Sequence, residues 1–361
     1  MKQFSYLWLI VILISCNNSQ STETSNQEKV NTLEFYGNTQ GTTYAIIVND
    51  PIEINRDEIE LTLANFDIAL SSYIPNSILT RLNEAGPGSF KYDDEFGYFN
   101  RCYLLSQEVY LKTSGAFDPT VYPLVDGWGF MKDIENVPDS TTVDSLRALL
   151  GFTNGYHFTF LFEESDDSIP KPKSEIFKKT PGAKLDFNAV AQGLAVDVIG
   201  ELLEAKGAKN YFVEIGGEIR VKGKNGSGEF WRIGIDKPIE NSNEGSRELQ
   251  EIVQIENKSI ATSGSYRKFY EKEGVKYSHT LDPKTGYPVT HTLLSATVVA
   301  DNCGFADAMA TAFMVMGPER SIEFIESNPG LKIEVYLIFN NDKGRMETYF
   351  TRGFQEMIIK D

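Results

Sequence analysis

Four stretches of this chain gather residue types that can do chemistry. SHTLDPKTGYPV (278–289) holds His279, one of only three histidines in 361 residues. Asp282-Pro283 and Thr285-Gly286 punctuate this stretch as a loop, and loops on a rigid scaffold are where reactive side chains collect. An imidazole there can move a proton near neutral pH, or it can be a half-buried ring that bonds a neighbour. CGFADAMATAFMVMG (303–317) reads as a helix with one polar pair, Asp307 and Thr311, in an otherwise apolar face. Four residues apart, both oxygens point the same way. A carboxylate and a hydroxyl oxygen suit a hard cation such as Mg²⁺ and not zinc. The alternative is that Thr311 bonds back to the Asp307 carbonyl while the carboxylate caps or pairs elsewhere. Either way, a carboxylate in so apolar a helix needs a partner.

KLDFNAVAQGLAVDVIGELLEAKG (184–207) reads as a strand turning into a helix, with Asn188 as N-cap and Gly207 as stop. Its first turn offers Ala189, Ala191 and Gly193. Small residues there let a ligand reach the free N–H groups and the positive end of the helix dipole, or let the helix pack closely on a neighbour. TSGAFDPTVYPLVDGWGF (113–130) has the composition of a pocket wall for a flat ring, and equally of an aromatic-rich loop on the core. EIGGEIRVKG (214–223) reads as a strand whose glycine pair makes a bulge. No G-x-G-x-x-G follows a strand and opens a helix, which argues against a Rossmann site.

These stretches need elements to position them. Helical spacing predicts helices over 56–70, 77–85 and 95–114, the last closed by Gly115. β-rich runs fall at 42–48, 211–222, 230–235, 251–256, 292–300 and 332–340, the last pairing with 345–351 across NNDKGR. Strands that come as hairpins predict an α+β fold, a single large domain with a mainly antiparallel or mixed sheet and packed helices.

The rest of the chain bounds the setting. Lys2, the apolar run Leu7–Ile14 and Cys16 in LISC predict a signal peptide over 1–15, too short to span a bilayer, with lipidation of the Cys16 thiol. Residues 16–32 read as a flexible tether with a reach of roughly 20–25 Å, and 33–361 as the domain. The formal net charge of −17 argues against nucleic-acid binding. It also requires that any phosphate-bearing substrate be held by a cation or by helix N-termini. Beyond Cys16 only Cys102 and Cys303 remain, so no disulfide framework exists, although that pair leaves one bridge open.

In order along the chain, GTTY, SSYIPNSILTRLN, GAFDPTVYPLVDGWGF, LDFNAVAQGLAVD, NYFVEIGGEIRVKG, ATSGSYRKFY, SHTLDPKTGYPV and ADAMATAFMVMG resemble the ApbE family of FAD:protein FMN transferases. The resemblance implies an exported, membrane-anchored lipoprotein facing the periplasm. Such an enzyme uses Mg²⁺ to transfer FMN from FAD to a Thr or Ser hydroxyl of an acceptor flavoprotein, releasing AMP. It implies cation ligands at the Ala191 carbonyl, Asp307 and Thr311, with Ala310 as a further contact. FAD would lie against Gln40, Tyr73, Ala116, Phe117, Asp118, Asn188, Leu194 and Leu281, and His279 would be the catalytic base. The acceptors would be subunits of membrane redox complexes or exported flavin carriers. Two positions depart from the family's pattern: Gln40 stands where Met is common, and Gln192 where Lys is common. Two other readings are an Mg²⁺-dependent FAD pyrophosphatase giving FMN and AMP, and a lipid-anchored flavin-binding protein without turnover.

Overall fold

The structure is a computed structural model that describes residues 32–131, 137–162, 172–239, 248–265, 269–272 and 275–359. The expected signal peptide, Cys16 and nearly all of the tether lie outside the described residues.

The chain enters through a hairpin, β1 (Leu33–Thr39) and β2 (Thr42–Val48). Its two-residue turn, Gln40-Gly41, has φ of 51° and 76°, the left-handed geometry that matches strand twist. Helix α1 (Arg56–Leu70) opens with a capping box in which Asn55 and Glu58 satisfy each other's backbone N–H. Then come α2 (Ile78–Glu84), capped by Ser77, β3 (Gly88–Lys91) and α3 (Tyr98–Lys112). A 3₁₀ turn at Pro119–Val121 leads into α4 (Tyr122–Gly127) and α5 (Ser140–Arg147). Strands β4 (Phe158–Phe162) and β5 (Pro172–Lys178) complete a small sheet with β3, in the order β3-β5-β4.

The main layer follows. Helix α6 (Ala191–Ala205) precedes β6 (Tyr211–Ile215) and β7 (Glu218–Lys222), and β8 (Trp231–Asp236) pairs with β9 (Leu249–Ile255) as a separate ribbon. Strand β10 (Ser259–Gly264) and the hairpin of β11 (Phe269–Lys272) and β12 (Val275–Ser278) precede β13 (Leu293–Ala300). Helices α7 (Cys303–Met316) and α8 (Pro318–Ser327), the hairpin of β14 (Glu334–Asn340) and β15 (Met346–Phe350), and α9 (Arg352–Met357) close the chain. The large sheet runs β1-β2-β6-β7-β10-β13-β14-β15, and its pairs are antiparallel. The expected α+β fold with a mainly antiparallel sheet is therefore what forms.

The sheet separates two cores. On one face lie α6 and α7, with Leu194, Ala195, Ile199, Ala306, Met309 and Phe313 fully buried. On the other, the β8–β9 ribbon and Phe354 of α9 cover Val221, Ile260, Val299 and Tyr336. Strand alternation sorts β7 accordingly: Val221 belongs to the second core, while Arg220 reaches Asp197 on α6 at 2.9 Å.

Three local expectations are corrected. Residues 184–190 form no strand, and Asn188 is not the N-cap of α6. Asp186 Oδ1 accepts the Asn188 N–H at 2.8 Å, and the Phe187 carbonyl accepts from both Val190 and Ala191, so a turn intervenes and the helix begins at Ala191. The glycine pair Gly216-Gly217 is no bulge. With φ of 66° and 109° it is the two-residue turn that splits 211–222 into the β6–β7 hairpin. The helix predicted over 95–114 is shorter, because Gly97 at φ +70° starts it and Asp94 caps Phe99 and Asn100.

Candidate active site

The site is built where α6 starts beside the middle of α7. Asp307 is 6 % exposed, and its Oδ2 accepts the Gly193 N–H at 3.1 Å, so the carboxylate plugs the first turn of α6. The approach is close because residue 193 has no side chain. A Cβ there would stand 2.5 Å from the Cys303 carbonyl oxygen and 2.8 Å from Asp307 Cβ. Burial pushes the Asp307 carboxyl up to about 7, with the Gly193 bond opposing. One turn on, Thr311 shares a hydrogen bond of 3.2 Å with Ser263 at the end of β10. The inner face of the sheet adds a second acid. Glu218, 7 % exposed, has Oε2 buried without a hydrogen-bond partner, and its carboxyl is raised well above the ordinary value by burial first and by Asp307 second.

This donor set fits a hard cation. Two nearly buried carboxylates, one with an orphaned oxygen, beside a hydroxyl and a helix start are oxygen donors that a hard cation such as Mg²⁺ would satisfy. Among the described residues, no three His, Cys, Asp or Glu side chains cluster as a metal site, which argues against a zinc-type cage.

The other motifs connect to this centre through contacts. The Gly216 N–H donates to the Thr43 carbonyl at 3.1 Å, and a Cβ on Gly216 would meet the Gln192 amide and Thr42. The β1–β2 turn is thereby tied to the first turn of α6. A surface cleft of about 560 Å³ runs along Asn38–Thr43, and the buried Gln40 amide lies beside the Asp67 carboxyl, which burial raises and the amide draws back down. Asn83 clamps Leu185, donating to its carbonyl at 2.8 Å and accepting its N–H at 2.7 Å. The Asp186 N–H donates to the Pro119 carbonyl at 2.7 Å, which docks the segment around Ala116, Phe117 and Asp118. Those three are buried, and Asp118 accepts from the Thr120 N–H at 2.8 Å, while burial raises its carboxyl to about 6. Trp128 Nε1 donates to the Gly286 carbonyl at 2.8 Å and Leu281 joins a small core with Leu124 and Val143, which fixes the loop that carries His279.

The remaining histidines are committed. His157 donates from Nε2 to the Leu150 carbonyl and accepts at Nδ1 from Thr180; His291 donates to the Met314 carbonyl and accepts the Leu293 N–H. Burial holds both below the usual imidazole range. His279 is half-buried on its loop.

Other expected residues are placed as follows. Tyr73 follows α1 and is 75 % exposed, which rules out a core aromatic pinning helices. Asn188 is exposed in the turn before α6, and Ala191 is half-buried at the helix start. Leu194 is sealed between α6 and α7, and lines another cleft with Leu105, Arg101 and Asn302. Ala310 is fully buried. Cys102 and Cys303 are both buried free thiols, so the bridge left open does not form. Residues that the sequence reading did not single out are Glu218, Ser263 and Asp197; the last accepts the Cys303 and Gly304 N–H groups and so caps α7 from α6.

The sequence profile of the ApbE family matches residues 40–337. The chain belongs to the ApbE family. A Haemophilus influenzae FAD:protein FMN transferase is 33% identical over 88% of this chain and 89% of its own. The structure of the flavin transferase ApbE from Vibrio cholerae superposes with a TM-score of 0.75 at 33% identity, covering 90% of this chain and 99% of that one. The flavinyl transferase ApbE from Pseudomonas stutzeri, in its apo form, gives a TM-score of 0.77 at 30% identity, covering 92% and 98%. Family membership thus rests on full-length likeness in both sequence and fold.

Proposed function

We propose that this protein is an FAD:protein FMN transferase, moving FMN from FAD to a Thr or Ser hydroxyl of an acceptor flavoprotein. The observation that carries the reading is the buried Asp307 carboxylate at the first turn of α6, with Thr311 on the same helix face, within a chain so similar to named transferases. Asp307, Thr311 and the Ala191 carbonyl would hold an Mg²⁺ ion. When bound, it neutralises charge on the pyrophosphate and on the departing phosphate.

The chain's own residues do the rest. The α6 start, open through Ala191 and Gly193, receives phosphate oxygens next to backbone N–H groups. Gln40, Tyr73, Ala116, Phe117, Asp118 and Leu281 border the nucleotide, with Asn188 and Leu194 at or behind the helix start. The Gln40 amide, beside Asp67, carries polar atoms that can bond a ring edge, where the family's usual Met cannot. His279 takes the proton from the acceptor hydroxyl as its oxygen attacks the phosphorus on the riboflavin side. The bond to the bridging oxygen breaks, AMP leaves with that oxygen, and a phosphoester joins FMN to the acceptor. The neutral Gln192 adds no charge near the phosphates, so anion neutralisation falls to the cation and the helix start. Lipidation at Cys16 would anchor the enzyme at a membrane facing the periplasm, within tether reach of exported or membrane-bound acceptors.

The test is denaturing electrophoresis of a candidate acceptor after incubation with the enzyme, FAD and Mg²⁺. Flavin fluorescence should survive on the acceptor band, vanish with chelator or Asp307→Ala, and weaken less with Thr311→Val. Full labelling by Asp307→Ala in chelator would contradict the reading.

A further inference from the structure

We propose that Glu218 is a further oxygen ligand of the cation held by Asp307 and Thr311, reaching it directly or through one bound water. The inference rests on the cation reading above and extends it to a residue on the opposite wall of the site. Three observations carry it. First, Glu218 and Arg220 are two apart on β7 and therefore share a strand face; Arg220 contacts Asp197 on α6, so Glu218 faces the α6–α7 layer and not the β8–β9 ribbon. Second, Glu218 opens β7 immediately after the Gly216-Gly217 turn, which touches Gln192 in the first turn of α6, one residue from the Gly193 N–H that Asp307 accepts. That turn brings the head of β7 to the site itself. Third, Glu218 is 7 % exposed and its Oε2 has no hydrogen-bond partner among the described residues, a position unfavourable for an ionised carboxylate that a cation would relieve.

Among the described residues, the neighbouring charged groups do not supply that partner. Arg220 is spent on Asp197 and Glu204, both at 2.9 Å, and Glu214 accepts the Gly217 N–H at 2.7 Å. The buried oxygens at this point are thus acidic on both walls, Asp307 from the helix and Glu218 from the sheet. Mg²⁺ takes six oxygen ligands and commonly keeps waters, so a second carboxylate at direct or one-water distance fits its coordination.

The test uses Mn²⁺ as a spectroscopic stand-in for Mg²⁺, titrated into the purified protein without FAD and followed by electron paramagnetic resonance. Wild type should bind Mn²⁺, Asp307→Ala should not, and Glu218→Gln, which keeps shape and removes charge, should bind about 10–100-fold more weakly. Its melting temperature without metal should equal or exceed that of wild type, because the change removes no hydrogen bond of the Glu218 Oε2 atom. A merely structural Glu218 would give the reverse, a lower melting temperature with Mn²⁺ affinity unchanged, and that result would overturn the proposal. Absence of Mn²⁺ binding by wild type would overturn the cation reading with it, whereas equal binding by wild type and Glu218→Gln overturns only the role of Glu218. Should Glu218→Gln fail to fold, anomalous scattering from Mn²⁺-soaked wild-type crystals decides instead. An ion more than about one water away from the Glu218 carboxylate counts against it.

Discussion

At the scale of single residues, the proposed chemistry divides between groups that would bind and one, His279, that would move a proton. His279→Ala should lower acceptor labelling by about 10²–10⁴ while FAD affinity, read by fluorescence titration, stays within a few-fold of wild type. Loss of binding and of fold together would assign His279 a structural role instead. Tyr73 belongs to the same scale. Its ring, 75 % exposed at the corner after α1, is free to close over a bound nucleotide and keep water from the phosphorus. Tyr73→Asn should therefore raise free FMN relative to labelled acceptor, measured by chromatography of the reaction mixture; an unchanged ratio would remove the ring from any gating role. Asp118 offers a test by pH. Burial raises its carboxyl from 3.8 to about 6, so the folded protein holds this proton more tightly than the unfolded chain does. That stabilisation is complete below about pH 4 and is lost as pH rises through about 6. Relative to Asp118→Asn, wild type should lose up to about 3 kcal/mol of unfolding free energy between pH 4 and 7 in urea titrations, and a constant difference would contradict the assignment.

At the scale of elements, the site depends on how closely α6 and α7 approach. Gly193 permits contact with the Cys303 carbonyl and Asp307, and Asp197 locks the start of α7 through the Cys303 and Gly304 N–H groups at 3.0 and 2.9 Å. Gly193→Ala must push the helices apart. It should cost about 1–3 kcal/mol of stability and abolish Mg²⁺-dependent turnover even in the folded fraction; retention of both would show that the helix junction is not what sets the site. This junction was only half legible in the sequence. The Asp307/Thr311 pair stood out because a polar stripe in an apolar helix has a fixed period. The start of α6 did not, because the Asp186 carboxylate and the Phe187 carbonyl organise a turn that displaces the expected cap at Asn188. Glu218 stayed hidden because β7 is covered on both faces, so alternation along Glu218-Ile219-Arg220-Val221 does not say which side meets the site. Strand β10 was missed for a related reason: SIATSG carries small and polar residues where a strand reading looks for bulk.

At the scale of the whole molecule, the antiparallel sheet was readable from its hairpins, the β14–β15 pair above all, whereas the strand order is set by long-range pairings such as β2 with β6 and β7 with β10. Those pairings bring motifs far apart in sequence to the start of α6 and the middle of α7. The strongly acidic surface, with a formal net charge of −17, leaves FAD to be captured by local features and not by general attraction. The central claim is transfer to a protein hydroxyl instead of to water, and one mass balance tests it most directly. Wild-type enzyme, FAD, Mg²⁺ and saturating acceptor are incubated, then AMP, free FMN and acceptor-bound FMN are quantified by chromatography and intact-protein mass spectrometry. The account predicts one acceptor-bound FMN for each AMP released, with little free FMN. AMP matched by free FMN, with the acceptor mass unchanged, would contradict it and make the protein an FAD pyrophosphatase.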